Sequence, residues 1–141
     1  MKVRFILVVV AGVCAAAAFQ TGTRAQAPAS VNAGVYTAEQ AKAGAAIYAK
    51  ECAACHGDTL AGQDPIPGLE GADFIARWKN VGELFEKTST TMPALAPGSL
   101  SGDQVAEVIA HILSVNKYPA GSAKLASTPE ALTAITIEPP K

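Results

Sequence analysis

Apolar and polar positions fall into three kinds of pattern along the chain. The first is an unbroken apolar run from Phe5 to Phe19, preceded by Lys2 and Arg4 and followed by small and polar residues from Thr21 to Ala27. The second is helical spacing. Thr37-Ala-Glu-Gln40 is a capping box, in which hydroxyl and amide each satisfy the other residue's backbone N–H at a helix start. Ala41, Ala45, Tyr48 and Ala49 carry that helix towards Cys52. Ser101-Gly-Asp-Gln104 is a second capping box, and Val105, Val108, Ile109 and Ile112 follow at helical spacing until Asn116 and Pro119 end the segment. The third pattern is interruption. Gly62, Pro65, Pro67 and Gly68 make Gly57 to Gly71 a loop, and Pro93 and Pro97 mark another that carries Met92. Between those loops Ala72 to Lys79 reads as a short helix, and Asn80-Val-Gly-Glu83 opens one through Leu84, Phe85 and Lys87. No segment alternates like a strand and there is no internal repeat. The expectation is a compact all-α domain. Gly44, Tyr48 and Cys52 share one helix face. A mid-helix glycine costs about 1 kcal/mol against alanine and makes sense where another helix crosses closely. Val108, His111 and Ile112 are expected to meet Gly44 and Tyr48 there, with His111 as a packing residue.

The leading pattern changes how the rest is counted. A basic start, an apolar stretch and a small-residue segment ending Thr-Arg-Ala-Gln-Ala form a secretory signal peptide. The apolar run is shorter than the roughly 20 residues that span a bilayer, which argues against an uncleaved anchor. A lipoprotein signal is disfavoured by the bulk of Val13 before Cys14. Cleavage after Ala25 is expected, giving a signal peptide over 1–25, a loose small-residue arm over 26–36, a domain over 37–118 and a C-terminal extension over 119–141. Losing Lys2, Arg4 and Arg24 leaves 8 of the 11 basic residues against 12 acidic ones, a charge near −4. That balance disfavours nucleic acid and anionic membrane surfaces as partners. It also leaves Cys52 and Cys55 as the cysteines of an exported, periplasmic chain.

Residues 52–56 read Cys-Ala-Ala-Cys-His. Two thiols three residues apart lie on one helix face, where both can add across the vinyl groups on one edge of a haem. The histidine that follows then lies under the iron. The pattern is that of a c-type haem attachment site. A thioredoxin-like dithiol would want a βαβ context, and zinc held by Cys52, Cys55, His56 and His111 would strain a tetrahedral site at adjacent ligands. A structural disulfide leaves the histidine unexplained. The exported chain has one further sulfur, Met92, in Thr90-Thr91-Met92-Pro93. A thioether opposite His56 would raise the reduction potential and close the iron to small ligands.

With these residues placed, the chain resembles the small monohaem cytochromes c over roughly Thr37 to Tyr118. The resemblance implies three to five helices wrapped around one haem c, N- and C-terminal helices crossing, thioethers at Cys52 and Cys55, and axial His56 and Met92. Pro67-Gly-Leu-Glu-Gly71 looks like the family's proline loop, in which the Pro67 carbonyl accepts the His56 Nδ1 proton. Trp78 matches a tryptophan that donates to a haem propionate in relatives, with Arg77 able to help. His111 departs from the pattern, which usually has an aromatic there. Phe74-Ile-Ala-Arg-Trp78, Leu84-Phe85 with Thr90-Thr91-Met92-Pro93, and Lys117-Tyr-Pro-Ala-Gly121 are similar to haem domains associated with quinoprotein alcohol dehydrogenases.

Two functions of different class follow. One is a non-enzymatic, periplasmic electron shuttle of a respiratory chain, passing single electrons between a dehydrogenase, a quinoprotein by that resemblance, and a terminal oxidase or other acceptor. The other is a haem enzyme or ligand sensor, a peroxidase or gas binder, with an open sixth position. Met92 discriminates between them.

Overall fold

A computed structural model describes residues 30–141, so the expected signal peptide lies outside the described residues. The body is helical: α1 Ala38–Glu51, α2 Ala53–His56, α3 Gly71–Ile75, α4 Val81–Thr91, α5 Gly102–Val115 and α6 Pro129–Leu132. No strand occurs among the described residues, only isolated bridges. The all-α expectation holds, with α1, α4 and α5 as the long members and three short helices between or after them.

Local chemistry starts each long helix where the sequence places it. In α1 the Gln40 N–H donates to Thr37 Oγ1 at 3.2 Å and the Thr37 N–H donates to Gln40 Oε1 at 3.4 Å. Ser101 and Gln104 repeat the exchange at α5, at 3.3 and 2.9 Å. Asn80 caps α4, its Oδ1 accepting the Glu83 N–H at 2.9 Å. Pro93 ends α4, because the residue before a proline is driven to extended backbone, and Met92 sits at φ −120°, ψ 152°.

α5 is the core of the body. Val105, Val108, Ile109, Ile112 and Leu113 are all buried, and α1 crosses this helix over the most extensive interface in the structure. At the crossing Gly44 lies against the Glu107 carbonyl so closely that a Cβ would overlap it. One turn on, the Tyr48 and His111 rings meet with centroids 5.2 Å apart and planes tilted by 52°. His111 is therefore a packing residue.

The arm and the extension are more ordered than their small-residue composition implies. From Ser30 onward the arm is packed rather than loose: Val31, Val35 and Tyr36 are buried, and the Tyr36 hydroxyl donates to the Tyr118 carbonyl at 2.6 Å. Leu125, Leu132, Ile135 and Ile137 bury the C-terminal segment on the same side. The two ends support each other. The Val31 N–H donates to the Thr136 carbonyl at 3.0 Å, and Gln40 exchanges two hydrogen bonds with the Leu125 backbone, at 3.0 and 2.7 Å. Each end has too few apolar residues to fold alone, which is why the pattern along the chain missed them.

Two outcomes test this packing. Gly44→Val forces a branched side chain into backbone and is expected to cost at least the upper part of the roughly 1–3 kcal/mol typical of overpacking, read as a lower denaturant midpoint with unchanged slope. His111 is held below its usual pKa by burial. The folded chain thus binds fewer protons than the unfolded one between that lowered pKa and the ordinary value near 6.5, so stability is complete above about pH 6.5 and falls as pH drops. Thermal midpoints of the native chain are expected to decline from about pH 7 towards pH 5.5, and His111→Phe to flatten that slope.

Candidate haem site

One cavity of about 360 Å³ gathers residues from every long helix and from both loops. Cys52, Cys55, His56, Pro67, Arg77, Trp78 and Met92, the seven residues singled out from the sequence, all line it.

The first wall continues α1. Cys52 lies between α1 and α2, its N–H donating to the Tyr48 carbonyl at 2.9 Å. The single turn of α2 then presents Cys52, half-buried, and Cys55, exposed, three residues apart and both as free thiols. Burial, with Glu51 and Cys55 adding to it, pushes the Cys52 thiol up to about 11. Redox dithiols depend on a depressed thiol pKa, so this environment opposes the thioredoxin-like alternative. Tyr48 ties the turn down: its hydroxyl donates to the Gly57 carbonyl at 2.7 Å, and burial pushes its pKa up to about 12.

The loop after α2 sets the histidine. His56 Nδ1 lies 2.9 Å from the Pro67 carbonyl oxygen. A carbonyl only accepts, so Nδ1 carries the proton and the Nε2 lone pair is the one left for a metal. The loop holds this geometry because it folds back on itself. The Gly62 N–H donates to the His56 carbonyl at 2.8 Å, and the Leu69 N–H donates to the Leu60 carbonyl at 2.7 Å. Gly62 has φ +74°, a conformation that glycine adopts without cost.

Asn116 anchors the far end of that loop. Its Nδ2 donates to the Leu69 carbonyl at 2.9 Å and to the Ile112 carbonyl at 2.8 Å, while its Oδ1 accepts the Gly71 N–H at 2.9 Å. The sequence marks Asn116 only as the end of a helix. Its second role joins residues 45 apart or more, and no local pattern carries that signal.

The remaining walls are apolar. Phe74, Leu84, Val108 and Ile112 face the cavity, with Met92 arriving at the end of α4. Trp78 packs on Phe74 with ring centroids 6.2 Å apart. Its Nε1–H is buried without a hydrogen-bond partner. Buried polar groups are nearly always satisfied, so an unpaired indole N–H at a cavity wall fits a ligand that carries an acceptor. Arg77, exposed at the rim, adds a positive charge beside it. Among the described residues no group of three or more His, Cys, Asp or Glu side chains is placed to hold a metal ion.

A helical body around an apolar cavity, with Cys-x-x-Cys-His on one wall and a lone methionine among the others, defines a c-type cytochrome domain. Residues 39–112 match the family model described as cytochrome c oxidase, cbb3-type, subunit III, and the chain, matched over more than half its length, belongs to that family. No curated protein and no solved structure matches the chain. Membership makes this a haem-based electron-transfer domain in which haem c is covalently bound, and it implies redox proteins as partners. No helix among the described residues is long and apolar enough to cross a membrane.

Replacing Asn116 with alanine strands the Gly71 N–H and the Leu69 carbonyl. The expected cost is about 1–3 kcal/mol in chemical denaturation, with faster amide exchange at Gly71 as the local signature.

Proposed function

We propose that this chain is a periplasmic single-electron carrier with one haem c, attached through Cys52 and Cys55 and ligated by His56 and Met92. The observation that carries the reading is the His56–Pro67 hydrogen bond on a cavity that Met92 also lines. Bound there, haem supplies a one-electron iron couple whose potential its surroundings set. The chain's own part is to hold. Cys52 and Cys55 would fix the cofactor edge, Pro67 would orient the imidazole, and Met92 would offer a thioether to the iron that keeps small ligands out. The apolar walls exclude water. Arg77 and the Trp78 N–H would hold the anionic periphery of the group.

The surface supports docking through apolar contact. The segment from Met92 to Leu100 carries no charge, and Leu95 is 98 % exposed, the one large hydrophobic residue so exposed among those described. A net charge near −4 after leader removal provides little long-range steering without a basic cluster. Redox encounters of this kind use small interfaces, roughly 1,200 Å² or less. A periplasmic dehydrogenase, of quinoprotein type by the resemblance of the Phe74–Trp78 and Lys117–Gly121 segments, is the proposed donor. The family's description as an oxidase subunit supports a terminal oxidase as acceptor.

The test begins with intact mass. The exported protein is expected to weigh as the leader-cleaved chain plus one haem, resistant to acid-acetone extraction; the bare mass from cells competent in cytochrome maturation would refute attachment. Met92→Ala should lose the weak long-wavelength absorption of methionine-bound ferric haem, lower the potential and admit carbon monoxide. If all three stay unchanged, Met92 is not the sixth ligand.

A further inference from the structure

Trp78 is a partition with open space on both sides. One side lines the haem cavity; the other lines an outer groove of about 850 Å³, walled by α3, the end of α5 and the C-terminal segment. Among the described residues Phe74 is the one aromatic in ring contact with the indole, and Ala72, Ile75, Ala76 and Ile137 line its groove side. The indole packs on the edge of the core, and the backbone that follows it is held at several points.

That backbone is held from outside the family match, which ends at residue 112. The Ile137 N–H donates to the Lys79 carbonyl at 3.1 Å, Asn80 pairs with Thr136 as an antiparallel bridge, and the Val81 N–H donates to the Ile135 carbonyl at 2.9 Å. Glu83 takes the Lys79 N–H at 3.1 Å, so both backbone groups of the residue after Trp78 are fixed. The holding segment is itself fastened at its C-terminal end. The Tyr118 hydroxyl donates to the Glu138 carbonyl at 2.6 Å, Ser30 Oγ donates to the Glu138 carboxylate at 2.9 Å, and Asn32 Nδ2 donates to the Pro139 carbonyl at 3.0 Å.

We propose that residues 135–138 are a strap that positions Trp78, keeping its Nε1–H aimed at an anionic group of the cofactor and so setting the reduction potential. The proposal rests on the reading of the cavity as the haem site. Ferric haem carries one more positive charge than ferrous haem, so an acceptor carboxylate left without its donor favours the ferric form. Loosening the strap thus lowers the potential. Trp78 is a positioning target and the strap acts through it; neither exchanges the electron.

The chain's single tryptophan makes the test direct. In the holoprotein, emission excited beyond the tyrosine band reports the distance and orientation of Trp78 to the haem that quenches it. Ile137→Pro removes the donor to Lys79, and Tyr118→Phe removes one fastening hydroxyl. Both are expected to raise emission several-fold and lower the potential, Tyr118→Phe by less, while the methionine–iron absorption persists. Leu125→Ala deletes a buried contact of the same tail away from the strap, and should lower the thermal midpoint without moving emission or potential. In a Trp78→Phe background the strap variants should no longer shift the potential. Unchanged emission and potential in Tyr118→Phe, or a potential shift of equal size in the Trp78→Phe background, would overturn the proposal. Should Ile137→Pro fail to accumulate, Tyr118→Phe decides alone. Unquenched emission from the unmodified holoprotein would instead refute the cavity as the haem site, an outcome separate from failure of the strap.

Discussion

The crossing of α1 and α5 at Gly44 is the constraint from which the cavity follows. Two helices can approach until backbone meets backbone only where no side chain stands between them, and Gly44 against the Glu107 carbonyl is that point. Once the helices are locked there, each delivers its remaining residues to one place. α1 runs through Tyr48 into the Cys52 turn, and α5 runs through Val108 and Ile112 to Asn116. A side chain at 44 would separate the thiol wall from the apolar wall across the whole site.

Around that frame the site is built largely by satisfying backbone groups. The stretch from Gly57 to Gly71 has no regular ladder, so its N–H and C=O groups need other partners. It finds them in its own folded-back strands of chain and in Asn116, whose three hydrogen bonds join the loop to the last turn of α5. The His56 imidazole takes the Pro67 carbonyl as part of the same accounting. Orientation of the proposed axial ligand is thus a by-product of a loop that would otherwise leave polar groups unpaired. Among the described residues Trp78 Nε1 is the exception, and an exception at a cavity wall is where a bound group is read most directly.

Electrostatics has a smaller part in holding the fold. The ion pair between Lys50 and Glu51 is a neighbouring surface contact, worth little in solvent. The buried tyrosines instead fasten chain segments through their hydroxyls: Tyr36 to Tyr118, Tyr48 to Gly57, Tyr118 to Glu138. In a chain with only 6 % aromatic residues these three bonds connect the arm, the attachment turn and the tail to the helical frame.

Local chemistry was legible in the sequence. Capping boxes fix helix starts through groups three residues apart, the Cys-Ala-Ala-Cys-His spacing places its three side chains within one turn, and Pro93 stops α4 at Met92 for steric reasons confined to neighbours. The Gly44 face also pointed to a crossing helix, because a costly residue in a regular pattern needs a compensating contact. What lay beyond reach were pairings between distant segments that look unremarkable by themselves. Val31, Val35 and Ile137 carry no periodic signal, and their burial arises when two weak ends pack on each other. Asn116 and Gln40 announce a helix end and a helix start, yet each spends further hydrogen bonds on chain far away in sequence. The sequence by itself determined the helices, the attachment turn and the candidate ligands, since those depend on residues within a turn of one another. Only the tertiary structure decided which loops and tails hold them in register, since a hydrogen bond across the fold depends on where the backbone arrives and leaves no spacing to read.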